Sequence, residues 1–274
     1  MHTTKTPERI IGVIAGNGAF PLEFVRGAKR NACKVFAVCH IGETDKAIES
    51  LVDEAVWIKV GQLGKLISSF LSFGVERVAM AGGISRISLF KGVKLDVRGI
   101  QLLARIRSTK DDLIMRGIAE ELEKEGIEVI SCATFMEDSF AAEGVLGRCK
   151  PTATQRADIE VGVSALRAMS AEHIGQLVVV KDGVVVAVEA VEGSDAAITR
   201  GGELGGPGVV VVKFAKSTQD MRFDIPTVGC KTLETMVKVK ANVLAIEARK
   251  TLMMEKEKMI ELANKHKIVL VGCS

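Results

Sequence analysis

Short aliphatic runs alternate with amphipathic segments along the first half of the chain, and this pattern predicts strands and helices in turn. The predicted strands are Ile10 to Ile14, Lys34 to Val38, Ala55 to Val60, Arg77 to Met80 and Glu128 to Ser131. The predicted helices are Pro21 to Arg30, Thr44 to Leu51, Leu63 to Phe73 and Asp112 to Glu125. A repeated strand and helix order requires a parallel sheet with right-handed crossovers. We therefore expect this half to be Rossmann-like, with helices on both faces of the sheet.

The pattern loosens between about Thr134 and Lys150, and a second unit then begins. Its predicted strands are Gln176 to Val180, Val184 to Glu189, Val209 to Phe214, Val243 to Ile246 and Ile268 to Val271. Its predicted helices are Thr152 to Met169, Thr232 to Lys240 and Glu255 to Lys265. Asp182-Gly183 between two valine-rich runs is typical of a tight hairpin. We predict an α/β protein with a Rossmann-like domain over residues 1–135 and an α/β domain with a mixed sheet over residues 136–274.

The composition supports this architecture and limits the partners. The 274 residues are 47% hydrophobic but only 4% aromatic, as expected for aliphatic parallel strands covered by helices. The formal net charge of +3 is too small to mark the chain as a nucleic-acid binder. The cysteines are scattered without a C-x-x-C pair, and the start of the chain is polar, so we expect reduced thiols and a cytoplasmic protein. No stretch reaches the roughly 18 apolar residues that a membrane-spanning helix needs.

Two glycine-rich turns follow predicted strands. The first contains Gly16 and Gly18 and leads into a helix, so its backbone amides suit a phosphate or another anion. A proline replaces the third glycine of the dinucleotide fingerprint and no Gly-Lys-Ser/Thr follows, which argues against an NAD site and a P-loop. The second turn is Gly82-Gly83, and Arg86 beyond it could clamp a phosphate. Because ligands gather at the carboxyl ends of parallel strands, the two turns could face one crevice. The alternative is two tight turns and a solvated arginine.

Three acids, Glu189, Glu192 and Asp195, lie close together where a predicted strand of the second half ends. Acids at the mouth of a buried hairpin repel one another unless a cation or an arginine offsets their charge. Mg²⁺ is commonly held by one or two carboxylates together with waters and substrate phosphates. The three acids are therefore candidate metal ligands. Helix capping by Ser194 or Asp195, with surface charge, is the alternative.

The densest group of charges is the segment Gln219-Asp220-Met221-Arg222-Phe223-Asp224. If it is extended, the period of two places Asp220, Arg222 and Asp224 on one face and the apolar residues on the other. Two acids with an arginine between them can bind Mg²⁺ and orient a phosphate. Lys213 and Lys216 add positive potential that suits a diphosphate. The alternative is a solvated edge strand with the same alternation.

In their order along the chain, these motifs resemble the UDP-2,3-diacylglucosamine pyrophosphatases of lipid A biosynthesis of the type called LpxI. The resemblance covers nearly the whole chain. It is carried by Gly12 to Pro21, Ala81-Gly82-Gly83 with Arg86, Glu189 to Asp195, and Gln219 to Pro226 with Gly229 and Thr232. One glycine turn says little, whereas the ordered set is fairly specific. Ser194 stands where a threonine is expected in this family, a departure that keeps the hydroxyl.

The resemblance implies two domains with the ligand between them, Mg²⁺ dependence, and hydrolysis of UDP-2,3-diacylglucosamine to UMP and 2,3-diacylglucosamine 1-phosphate. It also implies that water attacks the sugar-side phosphorus. An essential aspartate is expected in the second domain, and Asp220 and Asp224 both match it. The expected substrate-binding residues are Gly16, Gly18, Gly82, Gly83, Arg86, Lys216 and Thr232.

The mechanism that these residues suggest is metal-assisted hydrolysis. Asp220 and Asp224, with some of Glu189, Glu192 and Asp195, would bind Mg²⁺ and position water, and an arginine and a lysine would stabilise charge on the leaving phosphate. A sugar-nucleotide transferase and a non-catalytic nucleotide-sugar binding protein stay open as other classes. The expected partner is a lipid-linked sugar nucleotide, with no nucleic acid. Peripheral contact with the inner membrane and a homodimer are further expectations.

Overall fold

The computed structural model describes residues 9–85, 94–106, 111–170, 172, 174–217 and 219–274. The chain divides into two compact units. The first unit comprises the chain up to Glu137 together with the later segment Asp220–Asp224. The second unit comprises Asp138–Gln219 and Ile225–Ser274. A segment from the second half of the sequence therefore belongs to the first unit.

The first unit is built on a five-stranded parallel sheet. Its strands are β1 (Ile10–Ala15), β2 (Lys34–His40), β3 (Glu54–Ile58), β4 (Arg77–Ala81) and β5 (Glu128–Ile130). They lie in the order β3-β2-β1-β4-β5, and every neighbouring pair is parallel. The helices described in this unit are α1 (Phe20–Arg30), α2 (Leu63–Ser72), α3 (Val97–Ile106) and α4 (Asp111–Lys124). This arrangement confirms the predicted Rossmann-like fold, whose strand order changes direction between β1 and β4.

The core of the first unit forms where aliphatic strands meet the apolar sides of helices. β2 is buried at every position after Lys34, as expected of a parallel strand covered on both faces. α1 has Pro21 in its first turn, where a missing N–H breaks no hydrogen bond of the helix, and it packs Phe24 into the core. Phe36 of β2 meets Phe70 of α2 edge to face, with 5.9 Å between the ring centroids.

Two elements of the first unit differ from the sequence prediction. The helix predicted from Thr44 to Leu51 is a short 3-10 helix over Lys46–Ser50. It begins where the Asp45 carboxylate accepts a hydrogen bond of 2.9 Å from the N–H of Ala47, which satisfies a donor that the helix leaves unpaired. The second difference is α3, which the sequence did not predict.

The second unit is built on a mixed sheet, as predicted, which has six strands because Gly144–Val145 adds one to the five predicted. Its strands are β6 (Gly144–Val145), β7 (Leu177–Lys181), β8 (Val184–Val188), β9 (Val210–Lys213), β11 (Val243–Glu247) and β13 (Val269–Cys273). In the order β6-β13-β11-β9-β7-β8, the pairs β13 with β11 and β11 with β9 are parallel, and the remaining pairs are antiparallel. Two short strands, β10 (Thr227–Val228) and β12 (Leu252–Met253), form a separate parallel pair.

Helices cover the strands of the second unit. They are α5 (Ala153–Ser170), α6 (Ser194–Gly205), α7 (Cys230–Lys238) and α8 (Lys256–Lys265). Neighbouring positions of β7 belong to different clusters, since Val178 packs with Ile159 of α5 and Val179 with Ile198 of α6. Burial on both faces explains why these strands are rich in valine. Within the described part of the chain, no helix is long and apolar enough to cross a membrane.

The predicted hairpin at Asp182-Gly183 is present and joins β7 to β8. The φ angles of Asp182 and Gly183 are 48° and 80°, both in the left-handed region that a type I′ turn requires. Asp158 of α5 is buried and accepts hydrogen bonds from the N–H of Gly183 (2.6 Å) and of Asp182 (3.3 Å). The helix therefore fixes the conformation of the turn.

Candidate functional site

The acidic segment Asp220–Asp224 is a tight turn, so the prediction of an extended strand with its charges on one face is wrong. The carbonyl of Asp220 accepts hydrogen bonds from the N–H of Phe223 (3.3 Å) and of Asp224 (3.0 Å). The Asp220 carboxylate also accepts from the N–H of Arg222 at 3.1 Å. Asp side chains commonly stabilise turns in this way, because they bond to the backbone two residues on.

Arg222 pairs with Asp220 through two parallel hydrogen bonds. Its Nε lies 3.1 Å from Oδ1 and its Nη2 lies 3.0 Å from Oδ2. This bonding is the largest cause that lowers the pKa of Asp220 below its ordinary value, with a smaller coulombic contribution from Arg116. Nη1 of Arg222 also donates to Glu123 of α4 at 3.0 Å. Two acids therefore hold the guanidinium that was predicted to orient a phosphate.

The turn is anchored in the first unit just after β5. The N–H of Cys132 donates to the carbonyl of Arg222 at 2.9 Å, and the hydroxyl of Ser131 donates to the carbonyl of Met221 at 3.0 Å. Phe223 packs against the hydrophobic core of this unit. Burial raises the pKa of the Cys132 thiol to about 12, with a smaller contribution from the charge of Asp224. The thiol near this aspartate is therefore uncharged.

The two glycine turns pack directly against each other at the carboxyl ends of β1 and β4. The N–H of Gly16 donates to the carbonyl of Ala81 at 2.8 Å. A Cβ on Gly16 would lie 2.3 Å from the carbonyl oxygen of Gly83, and a Cβ on Gly82 would lie 2.4 Å from a backbone oxygen of the first turn. Gly16 and Gly82 are thus required by the packing of backbone on backbone. A Cβ on Gly18 would meet no described residue within 4 Å, and the φ of 83° rather than packing favours glycine at that position.

Glu43, in the loop after β2, ties the two turns together. Its Oε2 accepts from Nδ2 of Asn17 (2.7 Å) and from the N–H of Ser85 (2.9 Å), and its Oε1 accepts from the Ser85 hydroxyl (2.6 Å). The same loop fixes the end of β1, because the hydroxyl of Thr44 donates to the carbonyl of Ala15 at 2.6 Å. Sequence reasoning missed Glu43, although an acid shortly after the second strand was a usable signal.

The second unit places a buried acid and a buried base near each other. Glu189 and Lys213 are 8% and 6% exposed. The hydroxyl of Ser194 donates to Oε1 of Glu189 at 2.8 Å, and Nζ of Lys213 donates to the same hydroxyl at 3.2 Å. Oε2 of Glu189 also accepts from the N–H of Gln176 at 3.2 Å. A serine thus links two buried charges at the edge where β8 and β9 end.

The other predicted acids of this unit have separate partners. Glu192 lies 2.6 Å from Nη2 of Arg200 and accepts from the N–H of Ala190 at 3.1 Å. Backbone hydrogen bonding and Arg200 lower the pKa of Glu192 below its ordinary value. Asp195 lies 2.9 Å from Nζ of Lys231 and raises the pKa of that lysine. Glu192 and Asp195 are therefore each paired with a different basic side chain.

Four of the five predicted magnesium ligands are paired with side chains of their own unit. Among the residues that the structure describes, no group of three or more His, Cys, Asp or Glu side chains is placed to hold a metal ion. The partners of the predicted ligands Asp220, Glu189, Glu192 and Asp195 are arginine, serine, arginine and lysine side chains respectively. The mechanism below therefore contains no step through a metal.

The remaining predicted residues have structural contacts or lie outside the described chain. The N–H of Lys216 donates to the side chain of Gln219 at 3.0 Å. The hydroxyl of Thr232 accepts a long hydrogen bond of 3.5 Å from the N–H of Gly229, where α7 begins. Arg86 lies outside the described residues. Sequence reasoning missed Glu247 at the end of β11, which accepts from the N–H of Ala215 at 2.8 Å.

Together, the fold and these sites define a two-domain α/β protein that gathers polar residues where its strands end. The family model of the LpxI N-terminal domain matches residues 10–139, and that of the LpxI C-terminal domain matches residues 142–271. The chain therefore belongs to the LpxI family, and the resemblance found in the sequence is confirmed. It is 30% identical to the UDP-2,3-diacylglucosamine pyrophosphatase LpxI of Caulobacter vibrioides, over 96% of this chain and 97% of that protein.

Two solved structures illustrate a distant likeness. The biotin carboxylase domain of 2-oxoglutarate carboxylase from Hydrogenobacter thermophilus is 14% identical, with a TM-score of 0.24 over 64% of this chain and 35% of that chain. Glycinamide-RNase-transformylase T from Mycobacterium tuberculosis is 11% identical, with a TM-score of 0.25 over 67% of this chain and 44% of that chain. The chain spans less than half the length of either protein, and at these TM-scores the likeness supports no functional conclusion.

Proposed function

We propose that this protein hydrolyses the diphosphate of UDP-2,3-diacylglucosamine to UMP and 2,3-diacylglucosamine 1-phosphate, a step of lipid A biosynthesis. The observation that carries the proposal is the match to both LpxI domains in their order, together with 30% identity to a named pyrophosphatase over 96% of the chain. The polar groups at the strand ends of both units support it, because ligands of open α/β folds collect there.

The contacts of the acidic turn support different roles for its two aspartates. Both carboxylate oxygens of Asp220 are hydrogen-bonded to Arg222, so we assign this pair to holding the turn. Asp224 is the other aspartate that the resemblance matches, and we assign it to orient the attacking water and to accept its proton. The exposed Gly83 supports a place for the substrate beside the glycine turns, and Gly18, Arg86, Lys216 and Thr232 stay predicted substrate contacts.

The decisive experiment incubates the purified protein with UDP-2,3-diacylglucosamine and follows the release of UMP. Hydrolysis in heavy-oxygen water should place the label in 2,3-diacylglucosamine 1-phosphate, because attack at the sugar-side phosphorus is expected. A transferase would release no UMP without an acceptor, and a binding protein would hold the substrate without turnover. Either of these results would overturn the proposal.

We expect Asp224→Asn to abolish most turnover without unfolding the protein, since it keeps the size of the side chain and removes the charge. A lost catalytic base typically costs about 10²- to 10⁴-fold in kcat. Asp220→Asn should cost less, because its carboxylate supports the turn and is placed outside the reacting atoms. Steady-state kinetics on both variants, with Asp182→Asn on the distant hairpin as the control, measures the difference. Near-normal kcat in Asp224→Asn would remove this aspartate from the mechanism.

Mg²⁺ dependence is a separate part of the proposal. Mg²⁺ usually keeps several waters and is bound through few carboxylates together with substrate phosphates. A requirement for Mg²⁺ would therefore be compatible with a protein whose own acids form no ligand cluster. Turnover should fall on addition of EDTA and return when Mg²⁺ is added in excess, whereas equal turnover before and after chelation would exclude the requirement.

A cytoplasmic location, peripheral contact with the inner membrane and a homodimer complete the proposal. An acylated substrate is concentrated at a lipid surface, which is the reason to expect contact with it. Cosedimentation with anionic lipid vesicles and light scattering on the purified protein test the last two expectations directly. Protein that stays unbound to the vesicles would contradict membrane contact, and a monomer mass in light scattering would contradict the homodimer.

A further inference from the structure

Lys213 is buried and has contacts that the residue roles assigned above do not explain. It is the last residue of β9 and follows three buried valines, yet its own position is also buried, at 6% exposure. Nζ donates to the Ser194 hydroxyl at 3.2 Å and to the carbonyl of Thr227 at 2.9 Å. The carboxylate of Glu189, which accepts from the same hydroxyl, supplies a nearby negative charge.

Stability alone does not account for a lysine at this position. Removing an ammonium from water costs several kcal/mol, and replacing a buried ion pair by apolar side chains is often neutral or stabilising. An aliphatic residue would continue the apolar run Val210–Val212 without this cost. A buried charge that is retained against its desolvation cost indicates a task in positioning or electrostatics.

Hydrogen bonds of Lys213 to Ser194 and to Thr227 join two segments that carry candidate site residues. Ser194 is the first residue of α6 and precedes Asp195. Thr227 opens β10 and follows Asp224 by only three positions. Pro226, between them, has a fixed φ and limits the paths that the chain can take. Fixing the carbonyl of Thr227 therefore orders the part of the second unit that follows Asp224 in the sequence.

We propose that Lys213 is a positioning residue for the hydrolysis, which holds the start of α6 and the chain after Asp224 at one edge of the second sheet. Ser194 transmits the link to Glu189, whose charge offsets that of the lysine. The kinetic consequence of this inference rests on the proposed function. Its structural consequence, the ordering of the two segments, does not.

The kinetic test compares Lys213→Met, Lys213→Arg and the control Lys181→Met. Lys181 also ends a strand of the same sheet and also donates to a backbone carbonyl, that of Pro207 at 3.1 Å. Misplacing groups by about 1 Å can cost on the order of 10²-fold, so Lys213→Met should lower kcat by about that factor. Its KM should stay within about threefold, because ground-state binding is retained. Lys213→Arg should recover part of kcat, and Lys181→Met should resemble the wild type.

Two further measurements separate positioning from a purely structural role. The urea midpoint of Lys213→Met should fall below that of Lys181→Met, because the buried Glu189 carboxylate loses its counter-charge, so kcat is compared under conditions in which both variants are fully folded. Backbone hydrogen exchange should become faster over Gly193 to Ala197 and over Ile225 to Gly229 in Lys213→Met, and should stay as in the wild type in Lys181→Met. Unchanged exchange in these two segments, or a loss of kcat that follows the loss of folded protein, would overturn the inference. A wild-type protein that releases no UMP would contradict the proposed function, and the exchange result would still decide whether Lys213 orders the two segments.

Discussion

The packing around Gly16 and Gly82 leaves no room for a Cβ atom, so only glycine fits at these positions. Each lies where a Cβ would meet backbone of the opposite turn, and backbone cannot rotate away as a side chain can. Gly83 differs, since among the described residues a Cβ there would have only the side-chain oxygen of Asn17, at 3.4 Å, as a neighbour within 4 Å. Close packing therefore explains glycine at positions 16 and 82 and does not require it at position 83.

We expect Gly16→Ala to destabilise the first unit by about 1–3 kcal/mol, the usual cost of overpacking. Gly83→Ala is the matched control and should change the free energy of unfolding by no more than about 0.5 kcal/mol. Urea unfolding of both variants measures the difference. Equal destabilisation would mean that the contact between the turns is not tight.

The Asp220 and Arg222 pair should make stability depend on pH. Arg222 lowers the pKa of Asp220 from its ordinary value of 3.8 in the folded protein. The contribution of this pair to the free energy of unfolding is therefore complete above pH 3.8 and is lost as the pH falls through the lowered pKa of Asp220. Arg222→Met should cost about 0.5–1.5 kcal/mol at neutral pH, a value reduced for partial exposure.

Urea unfolding from neutral to strongly acidic pH tests this dependence. The difference between wild type and Arg222→Met should shrink on the acid side. Arg30→Met, at an exposed position in the last turn of α1, should give a difference that does not change over the same range. A constant difference for Arg222→Met would show that the bonds to Asp220 contribute no net stability.

The sequence predicted which residue types form the acidic turn but not how they pair. Charge density singled out Asp220 and Arg222, and only the fold shows that they neutralise each other. The burial of Lys213 could not be predicted either, because a lysine that follows three valines is as compatible with an exposed strand end. The position of Glu43 shortly after the second strand was a usable signal, but its partners Asn17 and Ser85 lie far from it in the sequence and only the fold shows them.

Secondary-structure elements were predicted best where long periodic runs agree with their tertiary burial. The strands of both sheets are aliphatic because helices cover them, so the sequence pattern and the structure have one cause. The segment from Asp220 to Asp224 is too short for such agreement. Over five residues, alternation in polarity occurs equally well in a turn, and the hydrogen bonds to the Asp220 carboxylate favour the turn.

The hairpin between β7 and β8 depends on α5 through Asp158. Asp158→Ala should destabilise the protein by about 1–3 kcal/mol, because two backbone N–H groups lose a buried acceptor. Asp182→Asn should stay within about 0.5 kcal/mol, since Asn tolerates the left-handed conformation of this exposed position. Thermal unfolding compares the two variants. A small effect of Asp158→Ala would show that the turn residues alone fix the hairpin.

At the scale of the whole molecule, the two units are not two uninterrupted lengths of chain. The first takes Asp220–Asp224 from the middle of the second. Hydrophobic pattern predicts where a core begins and ends locally, but it contains no signal for a short segment that packs with a distant part of the sequence. Phe223 contributes to the core of the first unit, whereas Phe214, nearby in sequence, belongs to the second.

This division predicts that substitutions of two phenylalanines close in sequence destabilise different units. Phe223→Ala should destabilise the first unit by about 1–3 kcal/mol, below the cost for a fully buried ring. Phe214→Ala, at 5% exposure, should destabilise the second unit by about 3–5 kcal/mol. Hydrogen exchange should therefore become faster in β4 and β5 with the first change, and in β7 and β9 with the second. The same pattern in both variants would contradict the division.

The contribution of Asp220–Asp224 to the first unit also has a consequence for biosynthesis. Ribosomes add about 5–20 residues per second, so several seconds separate the synthesis of Glu137 from that of Asp220. During this interval the nascent first unit lacks Phe223 and the hydrogen bonds to Ser131 and Cys132. Its final form is reached only when most of the chain has left the ribosome, and a chain released early would carry an incomplete N-terminal unit for the quality-control machinery to remove.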